Sequence, residues 1–211
     1  MTGEKASFLA HYAAGRGQAY TRFDPFGHGE SDGLFEDGTL GRWLADLLLV
    51  LDQAAEGPQI LVGSSMGGWL MVLAALARPE RVAGLVGIAA APDFTEDLMR
   101  PSLTGEERAI LKEAGVLRRP SRYGGDFVIA AAMLEEARRH LVLRRRLPLS
   151  MPVRLIHGQA DPDVPAERSL KLAEAIDGGD VQIILVKNGD HRLSRPQDLA
   201  LLARTLDALL A

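Results

Sequence analysis

The stretch from Gln59 to Leu70 constrains the fold more than any other part of the chain. An apolar run through Ile60, Leu61 and Val62 meets the pattern Gly63-x-Ser65-x-Gly67 and passes directly into helical spacing. Strand, abrupt turn and helix in that order force a serine onto a strained, exposed bend where it can act as a nucleophile. Gly63 and Gly67 are expected to omit side chains where backbone segments crowd. With 22 glycines in the chain, chance supplies roughly 0.1 matches to the five-residue pattern, so the flanking strand and helix carry the reading.

From residue 18 onward, short apolar runs bounded by Gly, Pro or Asp alternate with longer segments of helical spacing. Strands are predicted near 19–23, 59–62, 82–89, 153–157 and 181–186, and helices near 5–14, 40–55, 66–77, 166–175 and 196–210. Thr39 and the pair Arg195 and Pro196 mark helix starts; Gly15, Gly57 and Gly178 mark stops. Alternation of this kind makes the fold class α/β, a mostly parallel sheet with right-handed crossovers and helices on both faces. Functional groups should gather at the carboxyl ends of the strands. The rhythm breaks between Asp93 and Ser150, where 105–114 and 126–141 show helical patches but no clear strand. The expected organisation is a core of residues 1–92 and 151–211 with a helical lid, residues 93–150, inserted between two sheet strands.

Composition removes several function classes. Lys and Arg total 24 against 28 Asp and Glu, a net charge of −4, so there is no basic field to collect nucleic acid. The chain has no cysteine, which excludes disulfides, thiolate metal sites and a cysteine nucleophile. No apolar run approaches the roughly 18 residues of a membrane span, and Met1–Lys5 does not read as a signal peptide. The expectation is a soluble, cytoplasmic product.

A serine hydroxyl needs a histidine to take its proton and a carboxylate to hold that histidine in the right tautomer. Asp161 follows the strand at 153–157, and His191 follows the last strand. Asp163, two residues beyond Asp161, competes for the acid role, but the spacing from His157 and Gly158 favours Asp161 and leaves Asp163 as a turn or cap residue. His157 reads as a structural strand-end residue, His11 and His140 as surface or packing residues, and His28 as part of tight turns set by Gly27 and Gly29. No metal site follows from them. Trp69 and Met71 read as core. Arg118, Arg119, Arg138, Arg139, Arg144, Arg145 and Arg146 crowd the lid; they could draw a carboxylate or phosphate on a substrate, but a solvated face, with Glu135 pairing to Arg139, is the simpler reading.

Serine, aspartate, histidine is the chain order of α/β hydrolases, and the chain resembles a serine hydrolase of that fold, nearest to the mitochondrial palmitoyl-protein thioesterases that also cleave acyl glucuronides and to their bacterial relatives. The likeness rests on Arg22 to Asp24, on Gly27, Gly29 and Ser31, on Thr39, Leu40 and Trp43, and above all on Gly57 to Met71 with Ala77 to Val82. His157, Gly158, Asp161, Val164 and Pro165, then Asp190 to Arg192, extend it nearly to the end. The resemblance implies hydrolysis of an ester or thioester on a small-molecule or acyl-protein substrate, through an acyl-serine and without a cofactor. The backbone N–H of Met66 is then an oxyanion donor. The family has further strands ahead of the helix near Glu4, and a loop after the last of them gives the second donor, for which this sequence offers no residue. Met1 is therefore expected to be an internal methionine of a longer product, with 19–23 and 59–62 flanking a vacancy or forced to pair. The alternatives are an impaired or non-catalytic binding protein without a complete oxyanion hole, or an acyltransferase.

Overall fold

The computed structural model describes residues 1–210. Four parallel strands form the main sheet: β1 (Gln59–Ser64), β2 (Val82–Ile88), β5 (Val153–Gly158) and β6 (Val181–Val186), in the spatial order β1-β2-β5-β6. β2 and β5 are buried almost throughout, so they read as continuous apolar runs, the signature of a parallel sheet covered on both faces. α1 (Glu4–Gly15) and α8 (Pro196–Leu210) cover one face, where Leu9, Leu202 and Leu206 pack on Val86, Ile88 and Ile156. α2 (Leu40–Gln53), α3 (Met66–Ala77) and α7 (Glu167–Ala175) contribute to the larger core on the other face, with Trp43, Trp69, Leu85, Leu155 and Leu172. Thr39 caps α2 by accepting a hydrogen bond from the Arg42 N–H, as expected of its residue type. Among the described residues no helix is long and apolar enough to cross a membrane.

Register fixes where chemistry can occur. Ser64 pairs with Ile88, Ile88 with Ile156, and Gly158 with Val186. All four strands thus end along one edge, and the residues that follow them emerge side by side.

Two expectations fail. Residues 19–23 form no strand. A strand exists by its ladder, and among the described residues nothing pairs with this segment; it is held instead by side chains, with the Tyr20 hydroxyl donating to the Ala6 carbonyl (3.3 Å) and Arg22 to the Met1 carbonyl (2.9 Å). The outer edge of β1 is likewise unpaired among the described residues. The second failure concerns residues 93–150, which are not purely helical. After a distorted helical turn (Thr95–Met99), a short α4 (Arg100–Ser102) and α5 (Gly105–Ala114), strands β3 (Val116–Pro120) and β4 (Asp126–Ala130) form an antiparallel hairpin, followed by α6 (Ala131–Glu136). Gly124 and Gly125, both at positive φ, supply the turn that only glycine adopts without strain. The apolar run Phe127–Ala130 continues into the spacing of the helix after it, and its pairing partner lies across that turn, outside any local pattern.

Asp93 fastens both ends of this excursion. It is fully buried, sits at φ 58°, and accepts hydrogen bonds from the Val142 N–H (2.8 Å) and the Leu143 N–H (2.9 Å). Burial pushes its carboxyl up in pKa against those bonds and the Arg144 charge. Asp97 joins the excursion to the core by pairing with Arg144 and with Arg168 of α7, which is only 5% exposed. Removing Asp93 would leave two interior N–H groups without acceptors, each costing about 1–3 kcal/mol. Asp93→Ala is therefore expected to lower the unfolding free energy by about 3 kcal/mol, read from urea denaturation.

Candidate active site

Ser65 sits where β1 turns into α3, at φ 54° and ψ −119°. Such a conformation costs a non-glycine residue on the order of 1–3 kcal/mol and persists only if the surroundings enforce it. They do so through the backbone: the Ser65 N–H donates to the Ile88 carbonyl (2.9 Å), and the Ser65 carbonyl accepts from Ala91 (3.1 Å) and Gly68 (2.9 Å). A Cβ on Gly63 would lie 2.3 Å from the Gly67 carbonyl oxygen, so strand and helix touch there main chain to main chain. The crowding expected at Gly67 itself is absent, because its Cβ would meet nothing within 4 Å. Gly68 is the packed position, with Ala90 Cβ at 2.5 Å.

The structure brings Ser65, Asp161 and His191 together. Ser65 Oγ lies 3.0 Å from His191 Nε2, and His191 Nδ1 lies 2.8 Å from Asp161 Oδ2. An ionised carboxylate only accepts, so Nδ1 carries the proton, and Nε2 is left to accept from the serine hydroxyl. The loops bearing Asp161 and His191 are pressed against each other. Gln159 donates to the Val186 carbonyl (2.9 Å) and Ala160 to the Gly189 carbonyl (3.0 Å); a Cβ on Gly158 would stand 2.2 Å from the Gly189 oxygen.

Asp161 has a fully buried side chain. Burial works to raise its pKa, but the hydrogen bonds from His157, His191, and the backbone N–H groups of Val164 (2.9 Å) and Asp163 (2.8 Å) outweigh it and hold the carboxyl well below the usual range. His157 has a larger part in this than a strand-end residue would: its Nε2 lies 3.0 Å from the Val164 carbonyl and 3.4 Å from Asp161 Oδ2, while Nδ1 faces the Ser169 hydroxyl at 2.7 Å. A histidine four residues before a loop aspartate was the available signal, and it pointed only to the strand end. The Met66 N–H, at the first position of α3, has no intrahelical acceptor and opens beside Ser65.

Asp163 is exposed and lies with Asp161 and His191 in a cluster whose ligand atoms fall within 4.8 Å of one another. Divalent cations use such spacings, but both ring nitrogens of His191 are already hydrogen-bonded to Asp161 and Ser65, so the donor set fits proton relay rather than coordination. The Asp163 carboxylate instead accepts from the Tyr123 hydroxyl at the tip of the β3–β4 hairpin, and the Arg192 guanidinium stands 5.3 Å over the Tyr123 ring. Burial and that hydrogen bond push the Tyr123 phenol up to about 12. Sequence reasoning missed Tyr123, because nothing in its local pattern reports what the hairpin tip reaches.

The remaining candidates lie elsewhere. His28 packs edge-on against Phe35 and Trp43, its Nδ1 3.1 Å from the Phe26 carbonyl. His140 bonds Glu136, and His11 bonds the Ser7 carbonyl. Trp69 and Met71 are core, as expected. Of the lid arginines, Arg118 meets Glu36, Arg119 meets Glu107, Arg138 meets Glu96 and Glu135, Arg144 meets Asp97, and Arg146 meets Asp177. The partners of Glu135 are thus Arg138 and Arg100 rather than Arg139. A cavity of about 330 Å³ opens beside the elbow, lined by Lys5, Tyr20, Val62, Ser64, Ile88 and Arg192 among others. A larger one of about 440 Å³, between Asp97, Arg144 and Arg168, touches none of the three site residues.

Residues 3–202 match the model of the alpha/beta hydrolase family. The mitochondrial palmitoyl-protein thioesterase ABHD10 of Mus musculus is 45% identical over 214 residues, covering 100% of this chain and 71% of that protein. Its Homo sapiens counterpart is 41% identical over 212 residues, covering 100% and 69%. Among solved structures, a hydrolase from Agrobacterium vitis superimposes with a TM-score of 0.97 at 42% identity, covering 100% of this chain and 84% of that one. The mouse alpha/beta hydrolase domain-containing protein 10 gives 0.91 at 44%, with the same coverage. The cytoplasmic placement expected from the sequence does not stand, since these curated relatives are named as mitochondrial proteins; the five-residue start carried no compartment signal either way.

Two outcomes follow from this geometry. Gly63→Ala forces Cβ into backbone and should cost several kcal/mol or prevent folding, whereas Gly67→Ala should leave the unfolding free energy from urea denaturation unchanged or raise it by the helix preference of about 0.5–1 kcal/mol. Because the folded pKa of Asp161 lies below its unfolded value of about 4, its contribution to stability is complete above that pH and is lost as pH falls through the folded value. Asp161→Asn should therefore be less stable than the parent at pH 7 and lose less on going to pH 3, in paired urea titrations.

Proposed function

We propose, for a chain that belongs to the α/β hydrolase family, that it cleaves carboxylic esters or thioesters through an acyl-serine intermediate on Ser65. The observation that carries this reading is the unbroken relay from Ser65 Oγ through His191 to Asp161, at 3.0 Å and 2.8 Å.

Chemically, Ser65 Oγ attacks the acyl carbon while His191 Nε2 takes its proton. Asp161, held ionised, stabilises the imidazolium and keeps the proton of the resting state on Nδ1. The developing oxyanion is received by the Met66 N–H, the one donor the elbow provides. His191 then gives its proton to the departing alcohol or thiol, and a water activated by the same nitrogen releases the acid from Ser65. Thioester cleavage on proteins is what the curated relatives' name states of them. Their likeness over the whole of this chain supports a substrate of that class here, on a small molecule or an acylated protein.

A fluorophosphonate probe reacts with activated serines. Labelling of the parent chain that vanishes in Ser65→Ala is the expected outcome; equal labelling of both would remove Ser65 from the role. Asp161→Asn should retain the fold at pH 7 and lower kcat with a model thioester by about 10³–10⁴-fold, the scale set by a wrongly held tautomer.

A further inference from the structure

His191 has two carboxylates within reach and needs only one. Asp161 is buried and receives two backbone N–H groups, which fixes it in place. Asp163 is exposed, has no comparable backbone anchorage for its carboxylate, and belongs to the same 4.8 Å cluster. An unrestrained carboxylate at that distance would compete for the Nδ1 proton and stabilise the imidazolium before any substrate arrives. What occupies it is the Tyr123 hydroxyl, brought from the β3–β4 hairpin more than thirty residues upstream. The same ring lies under Arg192, the neighbour of His191. One side chain therefore touches both loops of the relay.

We propose that Tyr123 is a positioning residue: its hydroxyl, by donating to Asp163, holds the second carboxylate away from His191 and leaves Asp161 as the sole orienter of the imidazole. This rests on the reading of His191 as the general base. The charged and titratable groups around the imidazole are Asp161 and Asp163 from the acid loop, Asp190 and Arg192 from its own loop, Ser65 from the elbow, and Tyr123 from the hairpin. His157 of β5 stands behind Asp161, and Lys5 of α1 bonds the Arg192 carbonyl. Of these carboxylates, Asp163 is the one bonded to the hairpin.

Tyr123→Phe keeps the ring and its stacking with Arg192 and removes only the donor. Freed, Asp163 should raise the pKa of His191 by about half a unit to one unit. The acid limb of the kcat/KM profile should move up by the same amount, with activity near pH 9 little changed. Asp163→Asn in the Tyr123→Phe background should return the limb to its parent position, a reversal that a merely structural role of Tyr123 would not produce. The C2 proton of His191, followed by NMR across pH 4–9, reports the same titration in a chain without turnover, so loss of the catalytic reading and loss of this one are distinguishable. An unshifted His191 titration in Tyr123→Phe, or a shift that Asp163→Asn does not reverse, overturns the proposal.

Discussion

Everything at the reactive edge depends on two places where main chain meets main chain with no side chain between. Gly63 against Gly67 sets the angle at which β1 enters α3, and Gly158 against Gly189 sets the separation of the loops that carry Asp161 and His191. A methyl group at either would overlap a carbonyl oxygen, and carbonyl oxygens of paired backbone cannot move aside as a flexible side chain can. The 3.0 Å and 2.8 Å contacts of His191 follow from these two approaches, together with a register that ends four strands at one level.

Electrostatics then decide what those contacts can do. Asp161 is placed in an interior that would favour its neutral form, and four hydrogen-bond donors reverse that preference. The consequence is a carboxyl under His191 held ionised well below the pH at which a free carboxylate takes up a proton. A carboxylate in that state costs burial energy and returns it as orientation, because the imidazole has one direction in which its Nδ1 proton is well received. Ser65 shows the same trade at backbone level: an unfavourable φ is maintained by hydrogen bonds to Ile88 and Ala91 at the end of β2 and to Gly68 in the first turn of α3.

The parts of this arrangement that could be read in the sequence are those encoded locally. A glycine-flanked serine between a strand and a helix, and an aspartate and a histidine just past later strands, each announce themselves within ten residues. Segment 19–23 looked like a strand because its composition is that of one; whether it becomes one is decided by a neighbour, which composition does not contain. The β3–β4 hairpin was hidden for a related reason, as its second strand runs straight into α6 and shares that helix's apolar spacing. Gly67 and Gly68 are equivalent on paper, and only the position of Ala90 distinguishes the crowded one. Tyr123 reaches the site only through long-range packing, so no local pattern marks it, whereas His157 lies four residues from Asp161 and its spacing is visible without revealing the contact.

Asp93 gives the molecule a modular property. Because the chain departs from β2 and returns some fifty residues later to the same carboxylate, the intervening segment is a closed loop in space, tied at its neck. Because both ends are held at the same point, a shorter or longer version anchored on that neck could be exchanged without re-registering the sheet. The surface above Ser65 can then vary in length and shape while β2 and β5 keep their register.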